Sequence, residues 1–318
     1  MKLKATLSIL LLLLFTFLVG CNNEQQASEE EKEKLKIYTT IFPLEDFAKK
    51  IGGEHVDVES VYPPGADAHT YEPTTRTMSN IATADAFIYS GVGFEGFADK
   101  AHDVLKNEKV KIVAAAAGID LLDYNHDDHD HKHEDDDQEH DHDHGDEDPH
   151  VWIDPVLAIQ LAETIKDALV ELKPDAKEDF ETNFATLKQD LESLHQEFED
   201  MVNNASTNKI LVNHAAFGYW EERYGIKQIS VTGLSPTQEP SQRQLVDIVN
   251  TAKENNIKYV IFDQNITGNI AEIVRNEIGA EALILHNLEA VTQEDIDNNE
   301  DYFSLMKRNI ETLKKALN

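Results

Sequence analysis

The chain has 318 residues, and its 61 Asp and Glu outnumber 28 Lys and Arg to leave a formal charge of -33. Such a surface repels phosphate and excludes a nucleic-acid partner, while a 41% hydrophobic content suffices for a core and excludes a disordered acidic chain. The single cysteine, Cys21, excludes an internal disulfide and every zinc motif built on cysteine pairs, and eight of the 14 histidines crowd between His126 and His150, so a metal cation is the first partner to test.

In chain order, Lys2 and Lys4 precede an apolar run from Leu7 to Val19 that is short of the ~20 residues a bilayer span needs. It ends at Leu18-Val19-Gly20-Cys21 and reads as a secretory signal over residues 1–20. That ending resembles a bacterial lipobox, which implies that Cys21 is lipidated and is the first mature residue. Residues 21–34 then form the lipidated cysteine and a polar tether.

From Leu35 onward, β-branched runs alternate with helical ones, the pattern of an α/β fold with mainly parallel strands. Strands are expected at 35–41, 56–62, 86–90 and 110–115, with helices at 43–51 and 77–84 between them. A second set of strands falls at 209–213, 226–231, 259–262 and 282–286, separated by helices at 242–255 and 270–277. Two groups of four strands predict two similar lobes, 35–174 and 204–318.

Residues 126–148 interrupt the first lobe with seven histidines, thirteen acidic residues and Lys132, and no apolar side chain to bury. His126, His129, His131, His133, His140, His142 and His144 stand at spacings that let a flexible chain wrap a cation with several imidazoles, so the loop is a low-affinity zinc collector. A solvated acidic spacer is the alternative, but a spacer needs no histidine. Asp154 followed by Pro155 then fits an N-cap and first helical position, opening a helix to about Leu172. After Pro174 a longer helix is expected over 175–203. Its stripe of Phe180, Phe184, Leu187, Leu191, Leu194, Phe198 and Met201 alternates steps of four and three, which predicts core packing along the whole length, a strut of ~43 Å linking the lobes.

A tight site needs ligands on fixed elements, and open α/β sheets bind ligands beyond the carboxyl ends of their strands. Four residues are candidates, three of them directly after an expected strand. His69 follows the second strand, His150 stands where the acidic loop returns to the capped helix, His214 follows the strand at 209–213, and Glu289 follows the strand ending near His286. Two come from each lobe, which places the ion in the cleft. For the fourth ligand His286, Asp263, Asp295 and Asp297 remain alternatives to Glu289, and His55, His102 and His195 take surface roles. Three imidazoles and a carboxylate suit zinc better than manganese, and four protein ligands close the tetrahedron and leave no position for a hydrolytic water.

These residues resemble the metal-specific substrate-binding lipoproteins of bacterial ABC importers, in particular the zinc branch. The likeness covers the chain from about Leu35 and rests on Thr39-Thr40-Ile41-Phe42-Pro43-Leu44, His69-Thr70-Tyr71-Glu72-Pro73-Thr74, Asp148-Pro149-His150-Val151-Trp152-Ile153-Asp154-Pro155, His214-Ala215-Ala216-Phe217-Gly218-Tyr219 and Ser235-Pro236-Thr237-Gln238-Glu239-Pro240-Ser241. The resemblance implies His69, His150, His214 and Glu289 as ligands, with His214 standing where manganese members typically carry glutamate. It further implies two (β/α)4-like lobes joined by one rigid helix, and a monomer lipid-anchored on the extracytoplasmic face that delivers Zn2+ to an ABC permease with a cytoplasmic ATPase. A surface zinc buffer or adhesin without a transport role, and a zinc hydrolase with Glu289 as general base, are the alternatives.

Overall fold

The structure, a computed structural model, describes residues 34–93, 95–124, 147–265 and 268–318, the side chains of residues 99, 100, 102 and 103 excepted. The signal peptide, Cys21 and its tether, the seven loop histidines and the side chain of His102 lie outside the described residues. Among those described, no helix is long and apolar enough to cross a membrane.

The first lobe begins with β1 (Leu35–Thr39), α1 (Phe42–Gly52), β2 (Val56–Ser60), α2 (Thr75–Ala82), β3 (Ala86–Tyr89), α3 (Gly96–Leu105) and β4 (Lys111–Ala114). Its sheet has the order β2-β1-β3-β4, all parallel. As an inner strand β1 is covered on both faces, which is why Leu35, Ile37 and Tyr38 are buried together instead of alternating with polar residues. A two-stranded antiparallel ribbon follows, β5 (Leu122–Asp123) with β6 (Glu147–Asp148). The expected acidic loop therefore ends two residues early, because Glu147 and Asp148 form a strand and Asp148 is buried.

Then come α4 (Pro155–Leu172), capped by the Asp154 side chain on the Val156 N–H, and α5 (Lys177–Asn203), entered through a short 3-10 turn at Pro174–Ala176. The second lobe contains β7 (Lys209–Val212), α6 (Gly218–Tyr224), β8 (Lys227–Ser230), α7 (Gln242–Glu254), β9 (Tyr259–Asp263), α8 (Asn269–Ile278), β10 (Glu281–Leu285), α9 (Gln293–Asp297) and α10 (Tyr302–Ala316). Its parallel sheet has the order β10-β9-β7-β8.

All eight expected strands of the two sheets are present, and most end one or two residues sooner than the apolar pattern suggests. Ile41, Val61 and Tyr62 are buried although they lie past the ladder, since the loops that leave the strand ends are themselves packed. The stripe on α5 is buried as expected except at Phe184, which is half-buried beneath the Lys166 ammonium. One apolar cluster runs from the first sheet through α4 and α5 to α6 and α10, so the long helix is built into the core of both lobes. The last helix, α10, had no counterpart in the expectations. It opens with a capping box at Asp301 and Ser304, and Tyr302 packs edge-on against Phe47 of α1 with centroids 5.0 Å apart.

Two histidines depart from their expected surface role. His55 is buried, with Nε2 2.8 Å from Asp179 Oδ2 and its ring edge-on to Phe180, because the turn that carries it packs on the first turn of α5. His195 is half-buried, its Nδ1 3.0 Å from the Tyr224 hydroxyl.

Candidate metal centre

His69, His150, His214 and Glu289 meet at the carboxyl ends of the two sheets, and one donor atom from each lies within 4.8 Å of the others. Glu289 Oε1 is 3.2 Å from His69 Nε2, 3.6 Å from His150 Nε2 and 3.8 Å from His214 Nε2. Bonds of ~2.0–2.1 Å to a tetrahedral zinc place neighbouring donors ~3.3 Å apart, close to the three separations from Glu289 Oε1. The centroids of the three imidazole rings lie 5.5 to 5.9 Å apart, edge-on or tilted to one another. Stacked rings could not aim their nitrogens at a common point.

Each ligand is fixed by its own local chemistry. His69 rides on the loop after β2, where Asp67 Oδ1 accepts its backbone N–H at 3.0 Å and Asp67 Oδ2 accepts the Thr70 hydroxyl. The same loop reaches the second lobe through the Gly65 N–H, bonded to the Val291 carbonyl at 2.8 Å, and Gly65 has the positive φ this turn requires. His150 follows β6, and Asp148 Oδ1 lies 3.0 Å from its backbone nitrogen and 2.7 Å from its Nδ1. His214 follows β7, with Nδ1 2.7 Å from Asp263 Oδ2 at the end of β9. Both carboxylates take the Nδ1 proton, which leaves Nε2 as the metal-facing lone pair and makes each imidazole a stronger donor. Nε2 of His214 is buried and has no hydrogen-bond partner in the protein, an arrangement that costs free energy unless a ligand satisfies it.

Glu289 stands four residues after β10 on a tight turn. Leu288 just before it has φ 65°, rare for a residue other than glycine, and is fully buried. The alternative fourth ligands are engaged elsewhere. Asp263 orients His214, and Asp295 caps α9 through Thr292 and accepts from Gln264. His286 Nε2 lies 3.6 Å from Asp295 Oδ2, and Asp297 is exposed and accepts from Gln293.

The two-per-lobe division is one of sequence, and hydrogen bonds tie the His150 segment to both lobes. His150 belongs to the first lobe by sequence, yet its segment is also bound to the second. Trp152 Nε1 donates to the Asn287 carbonyl at 2.8 Å, Trp220 Nε1 to Ile153 at 2.8 Å, and the Tyr219 hydroxyl to Asp148 at 2.8 Å, while Arg223 pairs with Asp154. His150, His214 and Glu289 thus sit on one hydrogen-bonded body. His69 comes to them from the other lobe and is the one of the four that is only half-buried.

Charge in this buried pocket is balanced by protons in the metal-free protein. Burial pushes the His150 pKa down, but Asp148 and then Glu289 outweigh it and raise it to about 9. Burial pushes the Glu289 carboxyl up, and the neighbouring histidines, His69 first, overcome this and hold it well below the usual carboxylate range. A cation entering here meets an ionised carboxylate and displaces a proton from His150.

Asp148, Gly218 and Tyr219 were not singled out as site residues by the sequence. A Cβ at Gly218 would lie 2.3 Å from Asp148 Oδ2, so glycine makes room for the carboxylate that orients His150. The available signal was Asp148 two residues before His150, the spacing of a side chain that reaches its neighbour's backbone N–H.

Two parallel-sheet lobes around a rigid helix, with three imidazoles and a carboxylate converging between them, define a two-lobed α/β binding protein with a cation site. The family model for the zinc-uptake complex component A, ZnuA, described as periplasmic, matches residues 37–316, and the chain belongs to this family. It is 33% identical over 305 residues to the high-affinity zinc uptake system protein ZnuA of Bacillus subtilis (strain 168), covering 95% of this chain and 94% of that protein. It is 35% identical over 300 residues to the zinc-binding lipoprotein AdcA of Streptococcus pneumoniae (strain ATCC BAA-255 / R6), covering 94% of this chain but 58% of AdcA, so the chain spans little more than half of that longer relative. The crystal structure of the Zn(II)-bound ZnuA-like domain of Streptococcus pneumoniae AdcA superposes with a TM-score of 0.73 at 34% identity, over 89% of this chain and 99% of that domain.

Proposed function

We propose that this protein is an extracytoplasmic receptor that binds Zn2+ through His69, His150, His214 and Glu289 and delivers it to an ABC permease driven by a cytoplasmic ATPase. The observation that carries the reading is the convergence of these four donor atoms within 4.8 Å of one another. Three nitrogens and one oxygen at near-tetrahedral separations favour zinc over manganese, which prefers more oxygen ligands. Glu289 stands within 3.8 Å of all three imidazole nitrogens, the place of a ligand, whereas a hydrolytic centre would keep a coordination position for water. The reading as a zinc hydrolase is set aside on that ground and on family membership.

Around this centre the proposed organisation is a signal over 1–20, lipidated Cys21 with its tether to residue 34, a first lobe over 35–174, a linking helix over 175–203 and a second lobe over 204–318. Support for the anchor is the Leu18-Val19-Gly20-Cys21 ending and the similarity to AdcA, a zinc-binding lipoprotein. The protein acts as a lipid-anchored monomer, and the histidines from His126 to His144 collect zinc at low affinity. His214→Ala should weaken tight zinc binding at least ~10-fold, equal to ~1.4 kcal/mol, in a competitive titration of the mature protein against a chelating dye. Unchanged affinity refutes the assignment, and equal affinity for manganese in the same titration refutes the metal preference.

A further inference from the structure

We infer that His286 is a positioning residue that holds Glu289 in the metal centre, an inference that rests on the zinc-site reading above. His286 was a rival fourth ligand in the sequence. In the fold it is buried, and its Nδ1 accepts the Leu288 backbone N–H at 2.9 Å. That acceptor role fixes the tautomer with the proton on Nε2, the side that faces Asp295 Oδ2 at 3.6 Å. The residue itself is gripped by Asn309, whose Oδ1 accepts the His286 N–H and whose Nδ2 donates to the His286 carbonyl, both at 2.8 Å.

The turn that follows departs from ordinary backbone geometry at one point. Leu288 is buried with φ 65°, where a side chain crowds its own backbone and glycine or asparagine would be preferred. Its N–H points inward and would be an unsatisfied buried donor without the imidazole. One residue on, the Glu289 N–H is taken by Asn287 Oδ1 at 3.2 Å. Two successive side chains therefore each accept the N–H two residues ahead, the arrangement of an Asx-turn with histidine in the first place. The Glu289 carbonyl is fixed in turn by the Phe42 N–H at 3.1 Å. With both backbone groups of Glu289 and the N–H of Leu288 tied, the carboxylate is presented at one position, 3.2 to 3.8 Å from the three imidazole nitrogens. His286 thus supports the site through the backbone, without touching the ion.

The test compares His286→Leu, which removes the acceptor and keeps an apolar side chain, with His286→Asn, whose Oδ1 can accept the same N–H. Zinc affinity is measured by competitive titration, and cobalt(II) is used to read coordination from its visible absorption. Leaving the Leu288 donor unsatisfied in His286→Leu should cost at least ~10-fold in affinity and weaken the four-coordinate cobalt bands, while His286→Asn should restore both to within ~3-fold of wild type. A folded His286→Asn protein as impaired as His286→Leu would overturn the inference, as would His286→Leu with wild-type affinity. Nitrogen NMR of the wild-type imidazole provides a reading independent of any variant: the inference requires the Nε2–H tautomer, and the Nδ1–H tautomer overturns it. Glu289→Gln separates this inference from the reading on which it rests. Full zinc affinity in Glu289→Gln sinks the site itself, whereas loss there with none in His286→Leu sinks only the role of His286.

Discussion

Asp148 marks the border between the acidic loop and the tight site, and two nested deletions test that border. Removing residues 126–146 joins Asn125 to Glu147 and leaves Tyr124 and Asn125 to connect Asp123 with Glu147, which already face each other in the β5–β6 ribbon. A two-residue hairpin connection is a common one, so the ribbon should persist. Removing 126–148 takes two more residues and with them the carboxylate 2.7 Å from His150 Nδ1. Both partners are buried, and a hydrogen bond to a charged group is worth ~1.5–3 kcal/mol. Loss of such a partner to a metal-bound histidine typically lowers affinity ~10- to 100-fold, which is the same range expressed as affinity. The shorter deletion should shed the weak zinc equivalents and keep the tight one. The longer deletion should bind the remaining equivalent ~10- to 100-fold more weakly in calorimetry with a chelator as competitor. Asp148→Asn in the full-length chain, which keeps an acceptor but removes the charge, should fall between. Equal affinities for the two deletions would refute the role given to Asp148, and loss of the tight equivalent in the shorter one would show that the loop supplies a primary ligand.

Zinc affinity should rise with pH up to about 9, the value to which Asp148 and Glu289 raise His150 against its burial, with roughly one proton released from His150 per ion at neutral pH. Calorimetry in buffers of different ionisation enthalpy measures that release. The sign for stability is opposite. With a folded pKa above the unfolded value of ~6.5, His150 stabilises the metal-free protein fully below ~6.5 and loses this contribution as pH climbs through about 9, a trend that denaturant titrations of the metal-free protein should show. Gly218→Ala should weaken zinc binding, since the added Cβ would stand 2.3 Å from Asp148 Oδ2 and push the carboxylate off His150. Wild-type affinity in that variant would mean that Asp148 has room the structure does not show.

The chain positions and parallel pairing of the strands of the two sheets were legible because buried parallel strands are continuous apolar runs and the helices between them are amphipathic. The stripe on α5 was legible for the same reason, down to Leu191 and Leu194. The four converging donors could be proposed because each follows an expected strand or stands just before a capped helix start, a local property. What depended on distant contacts was lost. His55 is buried because α5 passes over it, and no neighbour in sequence announces that. His150 is also bound to the second lobe by Tyr219 and Trp220, residues about 70 positions away, which no local pattern announces. Asp148 was counted among the loop acids because composition cannot tell a buried carboxylate from a solvated one. His286 and Glu289 could not be separated, since three residues apart on a turn either side chain could face the ion, and the outcome depends on the left-handed backbone at Leu288.

The hydrogen bonds across the cleft also limit how the ion can leave. Glu289 and Val291 accept backbone N–H groups from Phe42 and Gly65 of the first lobe, and Trp152 is held between Asn287 and the Tyr302 hydroxyl. A wide hinge opening would break the bonds from Phe42 and Gly65 and part the Tyr302 ring from Phe47, both rings fully buried. Each such ring buries ~150–250 Å², so at ~25 cal/mol per Å² exposure costs ~4–6 kcal/mol per ring. Two of them would consume much of the stability of an ordinary domain, ~5–15 kcal/mol. Movement of a ligand loop is far cheaper. The loop of His69 meets the second lobe through the backbone bond from Gly65 to Val291 and through His69 Nε2, 3.2 Å from Glu289 Oε1, so its movement disturbs little of the shared core.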